Sequence, residues 1–374
     1  MTTTREFVPY IRRTLQEMPP KFDPPTEGFL RHQGFDTEAV RPMGLNESMF
    51  PPSPKVVEAV RSRVHMINRY PDAQCPHLTD IVTAREGVPG ENIVWGNGSE
   101  ELIQGTIHLS LAPGDGMVLP VPTFWGYRAM VRAAEADCAY IEMLPDGKVD
   151  IDGVLGAIGN KTRLVFCVTP NNPSGGYLDA DALSRLIDGI PDSVLFGIDE
   201  AYAEFGRHAG GPDLIAMLKK RRGPWVVVRT FSKAYAMAGM RIGYAICSDG
   251  DLAQALRKTT CTFNVPILAQ AAAEAALLDT EHLNKLLDWV AEGRAQITEG
   301  LKAMGLDPFP SVTNFVSVKI PVNGRDVTVA LLDRGYQIHA WPDPGYENFI
   351  RITVGNRDDN AGCLVALKEV LAAA

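Results

Sequence analysis

Apolar and polar positions along this chain follow two alternating periods. From about Asn92 to Arg229, short β-rich runs (NIVW, GMVLP, RLVFCV, VLFGID and WVVVR) are separated by stretches of helical periodicity such as SEELIQGTIHLSL, TFWGYRAMVRAAEA and DADALSRLIDGI. Strands that alternate with amphipathic helices predict an α/β fold with a mainly parallel central sheet covered on both faces. Beyond about residue 275 a long helical pattern, EHLNKLLDWVAEGRAQITEGLKAMG, precedes the short strands NFVSVKI and FIRITVG, which predicts a smaller α+β domain. Residues 1 to about 40 carry paired prolines at 19 and 20 and again at 24 and 25, and read as an arm that extends more than it folds.

Composition narrows what such a fold can do. The 374 residues are 45% hydrophobic and 22% charged, as in soluble globular proteins, with a formal net charge of -9. That acidic balance argues against a nucleic-acid or anionic-membrane partner. The six cysteines show no C-x-x-C pairing, so neither a zinc site nor a disulfide framework is indicated, and no metal is expected. The N-terminus lacks an apolar targeting core and no apolar run is long enough to cross a bilayer, which makes a cytoplasmic protein the expectation.

Candidate chemistry collects where parallel α/β sheets usually bind ligands, at the carboxyl ends of strands. NIVW is followed by GNGSEE, where glycines allow a close turn and Ser99 can cap a helix whose first amides face an anion. The segment fits neither the dinucleotide fingerprint nor the phosphate loop that ends in Gly-Lys-Ser/Thr. VLFGIDEAYAEF puts Asp199 at a strand end where a partly desolvated carboxylate needs a cation or a protonated heterocycle, with Tyr202 in reach of the same ligand. RLVFCV ends in TPNNPSGG, which offers the amides of Asn171 and Asn172 unless it is merely a turn. WVVV leads to RTFSKAYAMAGMRIGY, with Thr230, Ser232, Lys233 and Arg241. A flat, phosphorylated, nitrogen-containing ring with an aldehyde would engage all of these groups, and pyridoxal phosphate is such a molecule, with lysine as its Schiff-base partner.

The segments GLNES, INRYPD, GNGSEELI, PGD, VPTFWGY, TPNNPSG, IDEAYAEF, RTFSKAYAMAGMRIGY, SVTNF and FIRITVG occur in this order from about residue 44 onward. In these motifs the chain resembles the fold-type I pyridoxal-phosphate enzymes of the class I/II aminotransferases, and within them the histidinol-phosphate aminotransferase branch. The resemblance implies an N-terminal arm (1–40), an N-terminal part of the small domain and interface (41–70), a large cofactor-binding domain (71–275) and a C-terminal small domain (276–374). It implies that Lys233 binds the cofactor aldehyde and later moves a proton at the substrate α-carbon. Asp199 pairs with the pyridine nitrogen, Tyr202 and Asn172 hydrogen-bond the ring oxygen, and Phe124 stacks on the ring. The phosphate is assigned to the amides of Ser99 and Glu100, the hydroxyls of Thr230 and Ser232, and Arg241. Desolvation and nearby Arg241 should hold the Lys233 ammonium below its usual range. By the same resemblance Tyr70 reaches the phosphate of the neighbouring subunit in a homodimer with shared sites, and Arg351 clamps a substrate carboxylate.

Asn46, Tyr10 and His339 complete the expected substrate contacts. His339, in GYQIHA, stands where relatives acting on histidinol phosphate carry an arginine, and imidazole is the poorer phosphate clamp. Ser48 and Met49 alter the entrance, and Tyr10 lies well upstream of the tyrosine segment it resembles. The expectation is therefore an aminotransferase for an α-amino acid, aromatic or otherwise specialised, with a 2-oxo acid acceptor; histidinol phosphate remains a reduced option. The alternative on the same scaffold is a decarboxylase or lyase, because the outcome depends on which α-carbon bond is held perpendicular to the ring.

Overall fold

A computed structural model describes residues 8–20 and 25–374. Its larger sheet runs, in spatial order, Ile93–Gly96, Gly243–Cys247, Trp225–Thr230, Leu195–Asp199, Thr162–Val168, Gly116–Val121 and Asp137–Glu142. Gly243–Cys247 is antiparallel to both neighbours, and the remaining pairings are parallel. The α/β architecture expected from the alternating periods is therefore present. The two innermost parallel strands, Leu195–Asp199 and Trp225–Thr230, are buried along their whole length, as a strand covered on both faces must be. Period two is visible within them: Val227 packs into one core, Val226 and Val228 into the other.

Two strands were not legible as such. Asp137–Glu142 reads DCAYIE, an exposed edge with little apolar signal, and it follows directly on the helical run of TFWGYRAMVRAAEA. Gly243–Cys247 lies at the tail of the Gly-rich lysine segment, whose turns mask its onset.

The smaller lobe has an antiparallel sheet in the order His339–Ala340, Phe349–Thr353, Phe315–Lys319. Helices Thr280–Ala303, Gly324–Leu332 and Arg357–Ala373 pack around it. Arg41–Pro42 pairs in parallel with Tyr336–Gln337, and the Thr353 amide donates to the Met43 carbonyl at 2.9 Å. The chain from 41 to 50 is thereby drawn from the small lobe toward the carboxyl ends of the large sheet.

Within the arm, the described residues are more folded than the paired prolines predict. Arg13–Glu17 and Glu27–His32 are short helices, the second capped by Thr26, whose hydroxyl accepts from the Phe29 amide at 3.4 Å. The first leans on the large lobe through Arg12 and Glu135, 2.6 Å apart.

Candidate active site

A cavity of about 510 Å³ opens between the lobes at the carboxyl ends of the parallel strands. Most of the residues expected to act together line it: Asn46, Ser99, Glu100, Phe124, Asn172, Asp199, Tyr202, Thr230, Ser232, Lys233, Arg241, His339 and Arg351. Tyr70 and Tyr10 do not. Tyr10 is 86% exposed, and Tyr70 is 81% exposed, stacked on Phe263 with ring centroids 4.7 Å apart. Within its own chain, neither side chain reaches the cavity.

The anion end is built at the start of helix Ser99–Ser110. Ser99 does not cap this helix as its side chain suggested. Gly98 holds the cap position at φ 80°, and Ser99 is the first helical residue. Glycine is required at 98 because φ 80° with ψ 171° is a conformation L side chains rarely adopt, and a Cβ there would also displace Arg241 Nη2, 2.3 Å from it. Gly243 is similarly restricted, since its Cβ would meet the Ser99 amide nitrogen at 2.8 Å. Arg241 Nη1 donates to Ser232 Oγ at 3.3 Å, and the Thr230 and Ser232 hydroxyls lie 2.9 Å apart. Helix amides, two hydroxyls and a guanidinium thus converge around two glycines, leaving room for a phosphate-sized anion.

Asp199 ends its strand fully enclosed. Its carboxylate accepts from the Ala201 amide at 3.0 Å and the Tyr127 hydroxyl at 3.1 Å, and it forms no ion pair among the described residues. Burial pushes its pKa up to about 6 despite those hydrogen bonds. A carboxylate placed this way lacks a cation to neutralise it. Tyr127 was missed from sequence although it closes the quoted VPTFWGY motif. Its role shows only when the helix Gly126–Ala133 brings it beneath Asp199.

Lys233 Nζ donates to the carbonyls of Leu45 and Asn46 at 3.2 and 3.1 Å. Desolvation lowers its pKa to about 8, helped first by Arg351, which outweighs the Arg241 expected to do this. The carbonyls are presented by an unusual turn: Asn46 has φ 54°, a left-handed conformation tolerable for asparagine. Its side chain is pinned on both sides. Nδ2 donates to Tyr202 Oη at 2.8 Å, Oδ1 accepts from Thr353 Oγ1 at 3.1 Å, and its carbonyl accepts from Asn314 Nδ2 at 3.0 Å. Asn46 therefore serves to orient Tyr202 and Lys233, and Asn314, in SVTNF, supports it.

At the far end, Arg351 is buried and, among the described residues, has no carboxylate in contact. Nη1 donates to Asn172 Oδ1, Nη2 to the Gly44 carbonyl at 2.7 Å, and the guanidinium lies 5.3 Å from the centre of the Phe315 ring. Among the described residues Nε has no hydrogen-bond partner, and burial lowers the pKa to about 10. His339 stands opposite Arg351 on the neighbouring strand. It is partly open to the cavity, yet desolvation and the charge of Arg351 depress its imidazole to about 3, so it is neutral at physiological pH.

An anion cradle, a lysine with a depressed pKa and a buried uncompensated carboxylate suit a phosphorylated heterocyclic aldehyde, with a buried arginine across the cavity from them. Comparison with known proteins agrees. Residues 40–367 match the family model for aminotransferase class I and II, and the chain belongs to that family. It is 37% identical over 363 residues to histidinol-phosphate aminotransferase from Halalkalibacterium halodurans, covering 97% of each chain, and 35% identical to histidinol-phosphate aminotransferase 2 from Carboxydothermus hydrogenoformans, covering 96% of this chain and 99% of that one. The crystal structure of histidinol-phosphate aminotransferase from Sinorhizobium meliloti in complex with pyridoxal-5'-phosphate superposes with a TM-score of 0.90 at 28% identity, covering 99% of this chain and 100% of that one. This protein is a pyridoxal-phosphate-dependent aminotransferase of fold type I.

Proposed function

We propose that the amino donor is an α-amino acid held by its carboxylate, and that a 2-oxo acid accepts the amino group at the same place. The observation that carries this reading is the pairing of Arg351 with a neutral His339. A planar guanidinium matches one carboxylate, and the Asn172 amide that already meets Arg351 can complete the contact. A phosphate dianion would arrive with about twice the charge and, among the described residues lining this end, meet one cation, Arg351. Because donor and acceptor each carry a carboxylate next to the reacting carbon, one clamp serves both half-reactions.

Their placement in the cavity supports roles for the remaining residues. Ser99, Glu100, Thr230, Ser232 and Arg241 would hold the cofactor phosphate, with Phe124 against the ring and Tyr202 and Asn172 toward its oxygen. Asp199 would keep the pyridine nitrogen protonated, which satisfies the carboxylate that burial otherwise penalises. Bound pyridoxal phosphate supplies an aldehyde for the amine and a ring that accepts electrons from the α-carbon. Lys233, with an amine that is neutral for much of its population near pH 8, takes the α-proton and returns it. The carbonyls of Leu45 and Asn46 orient that amine, and Asn46 keeps the Tyr202 hydroxyl in register with it.

Histidinol phosphate is the second reading, supported by the names of the relatives. His339→Arg separates the two. It adds a cation beside Arg351, so the ratio of kcat/KM for histidinol phosphate to that for histidine should rise about 10-fold or more over wild type, the worth of one charge-assisted hydrogen bond. An unchanged ratio in a folded variant would mean that residue 339 does not set donor charge.

The protein is further proposed to act as a homodimer in the cytoplasm. Val64, Ile67, Tyr70 and Phe263 are exposed large apolar residues, with Tyr70 and Phe263 in ring contact, which supports a surface covered by a second copy. All six cysteines are free, in keeping with a reducing compartment. Sedimentation at twice the 40.7 kDa chain mass is the expected result, and a monomer at micromolar concentration contradicts it.

A further inference from the structure

Behind the cavity lies a buried charge cluster that none of the roles above uses. Arg229 is 2% exposed; its Nε donates to Glu200 Oε2 at 2.6 Å, and its Nη1 lies 2.9 Å from Glu86 Oε1 and 3.4 Å from the Tyr244 hydroxyl. Glu86 also accepts from Arg207 at 3.2 and 2.8 Å, and Arg85 donates to the Tyr235 hydroxyl at 2.9 Å with its Nε 3.6 Å from Glu86. Glu204, 8% exposed, adds its charge to the fields of Arg85, Glu200, Tyr235 and Tyr244. Three arginines (85, 207, 229) stand against three glutamates (86, 200, 204), so the cluster is neutral when all six are ionised.

Its position is what makes it informative. Asp199 lies opposite Val228 on the adjacent parallel strand, so Glu200 and Arg229 follow at neighbouring strand ends, and the Glu200 amide donates to the Val228 carbonyl at 2.8 Å. Strand alternation turns Asp199 and Thr230 to one face and Glu200 and Arg229 to the other. The Arg229–Glu200 pair therefore ties together the strand end carrying Asp199 and the strand end leading through Thr230 and Ser232 to Lys233. Buried ion pairs contribute little net stability compared with apolar packing of similar volume. A six-charge cluster at this place calls for a reason beyond stability.

We infer that Arg229 and Glu200 are positioning residues, which fix Asp199 relative to Lys233 and keep the region behind them free of net charge. The inference rests on the roles given to Asp199 and Lys233 above. Either residue alone would place an uncompensated charge within the low-dielectric wall behind both groups, and the sign of that charge would be felt at the site.

The test is a pH titration of the absorbance of the cofactor-bound protein, with thermal melting alongside. Glu200→Gln leaves the cluster with one excess positive charge, which disfavours the protonated, cationic form of the lysine–cofactor linkage and lowers the titration midpoint. Arg229→Met leaves one excess negative charge and raises it. Each shift should be on the order of one unit, as for a single charge roughly 10 Å away at an effective dielectric near 20. Should Arg229→Met fail to fold, Glu86→Gln supplies the second variant and should move the midpoint in the same direction as Glu200→Gln. Both mutants should also lose kcat with a smaller change in donor KM. Midpoints that coincide with wild type, or that move in the wrong direction, overturn the inference however much the melting temperature falls. A wild-type protein with no titrating lysine-bound absorbance would instead refute the role of Lys233 itself.

Discussion

Lys233→Ala is expected to lower turnover by on the order of 10⁴-fold or more, because it removes both the covalent anchor and the proton carrier. The amine donates to the Leu45 and Asn46 carbonyls, and it lines the cavity between the phosphate cradle and Arg351. A lysine that served only to fill space would leave the resting absorbance intact when replaced, whereas here that absorbance should disappear. The pH dependence of cofactor capture by ligand-free wild type gives the same test a second side. An ammonium has no lone pair for the aldehyde, so with its pKa lowered to about 8, capture should accelerate as pH rises through 8 and level off above it. A rate that continued to climb toward pH 10 would describe an ordinary lysine. Turnover measurements and stopped-flow absorbance check the two sides.

Asp199→Asn should cost activity on the order of 10²–10⁴-fold while leaving the ligand-free protein at least as stable. The two effects have one cause. Burial raises the carboxyl to about 6, above its unfolded value, so folding favours the protonated form and the ionised carboxylate destabilises the fold increasingly as pH rises from about 4 to 6, with the full cost above that. Asparagine can accept from the Ala201 amide through its single oxygen and donate its Nδ2–H to the Tyr127 hydroxyl, which then accepts, all without the charge, so the cost disappears at neutral pH. It cannot keep a pyridine nitrogen protonated, so the electron-accepting capacity of the ring is lost with it. Steady-state kinetics and melting of the ligand-free protein at pH 7.5 would check this, and a variant that is both active and less stable would contradict it.

What sequence could and could not reveal divides along physical lines. The buried parallel strands were legible because a strand covered on both faces must be apolar throughout, and Asp199 and Lys233 stood out as charged groups following such runs. The exposed edge Asp137–Glu142 has no such requirement and gave no signal. Capping at Ser99 misled because serine favours the cap by propensity, while the cap falls one residue earlier at Gly98, whose φ of 80° suits glycine. Tyr127 and Asn314 sat inside quoted motifs, but their partners, Asp199 and the Asn46 carbonyl, lie 72 and 268 residues away. The dominance of Arg351 over Arg241 in depressing Lys233 likewise depends on how the small lobe folds over the cavity. Tyr10 and Tyr70 fall outside the cavity of their own chain, and any contact they make with a site must come from another copy.

The central claim, that donor charge is read by Arg351 beside a neutral His339, is tested most directly in a single half-reaction. Cofactor-loaded wild-type protein is mixed with one donor at a time, without acceptor, and the loss of lysine-bound absorbance is followed with histidine, aromatic amino acids and histidinol phosphate. Conversion by α-amino acids at rates well above that with histidinol phosphate is the predicted result. Conversion by histidinol phosphate alone would contradict the account.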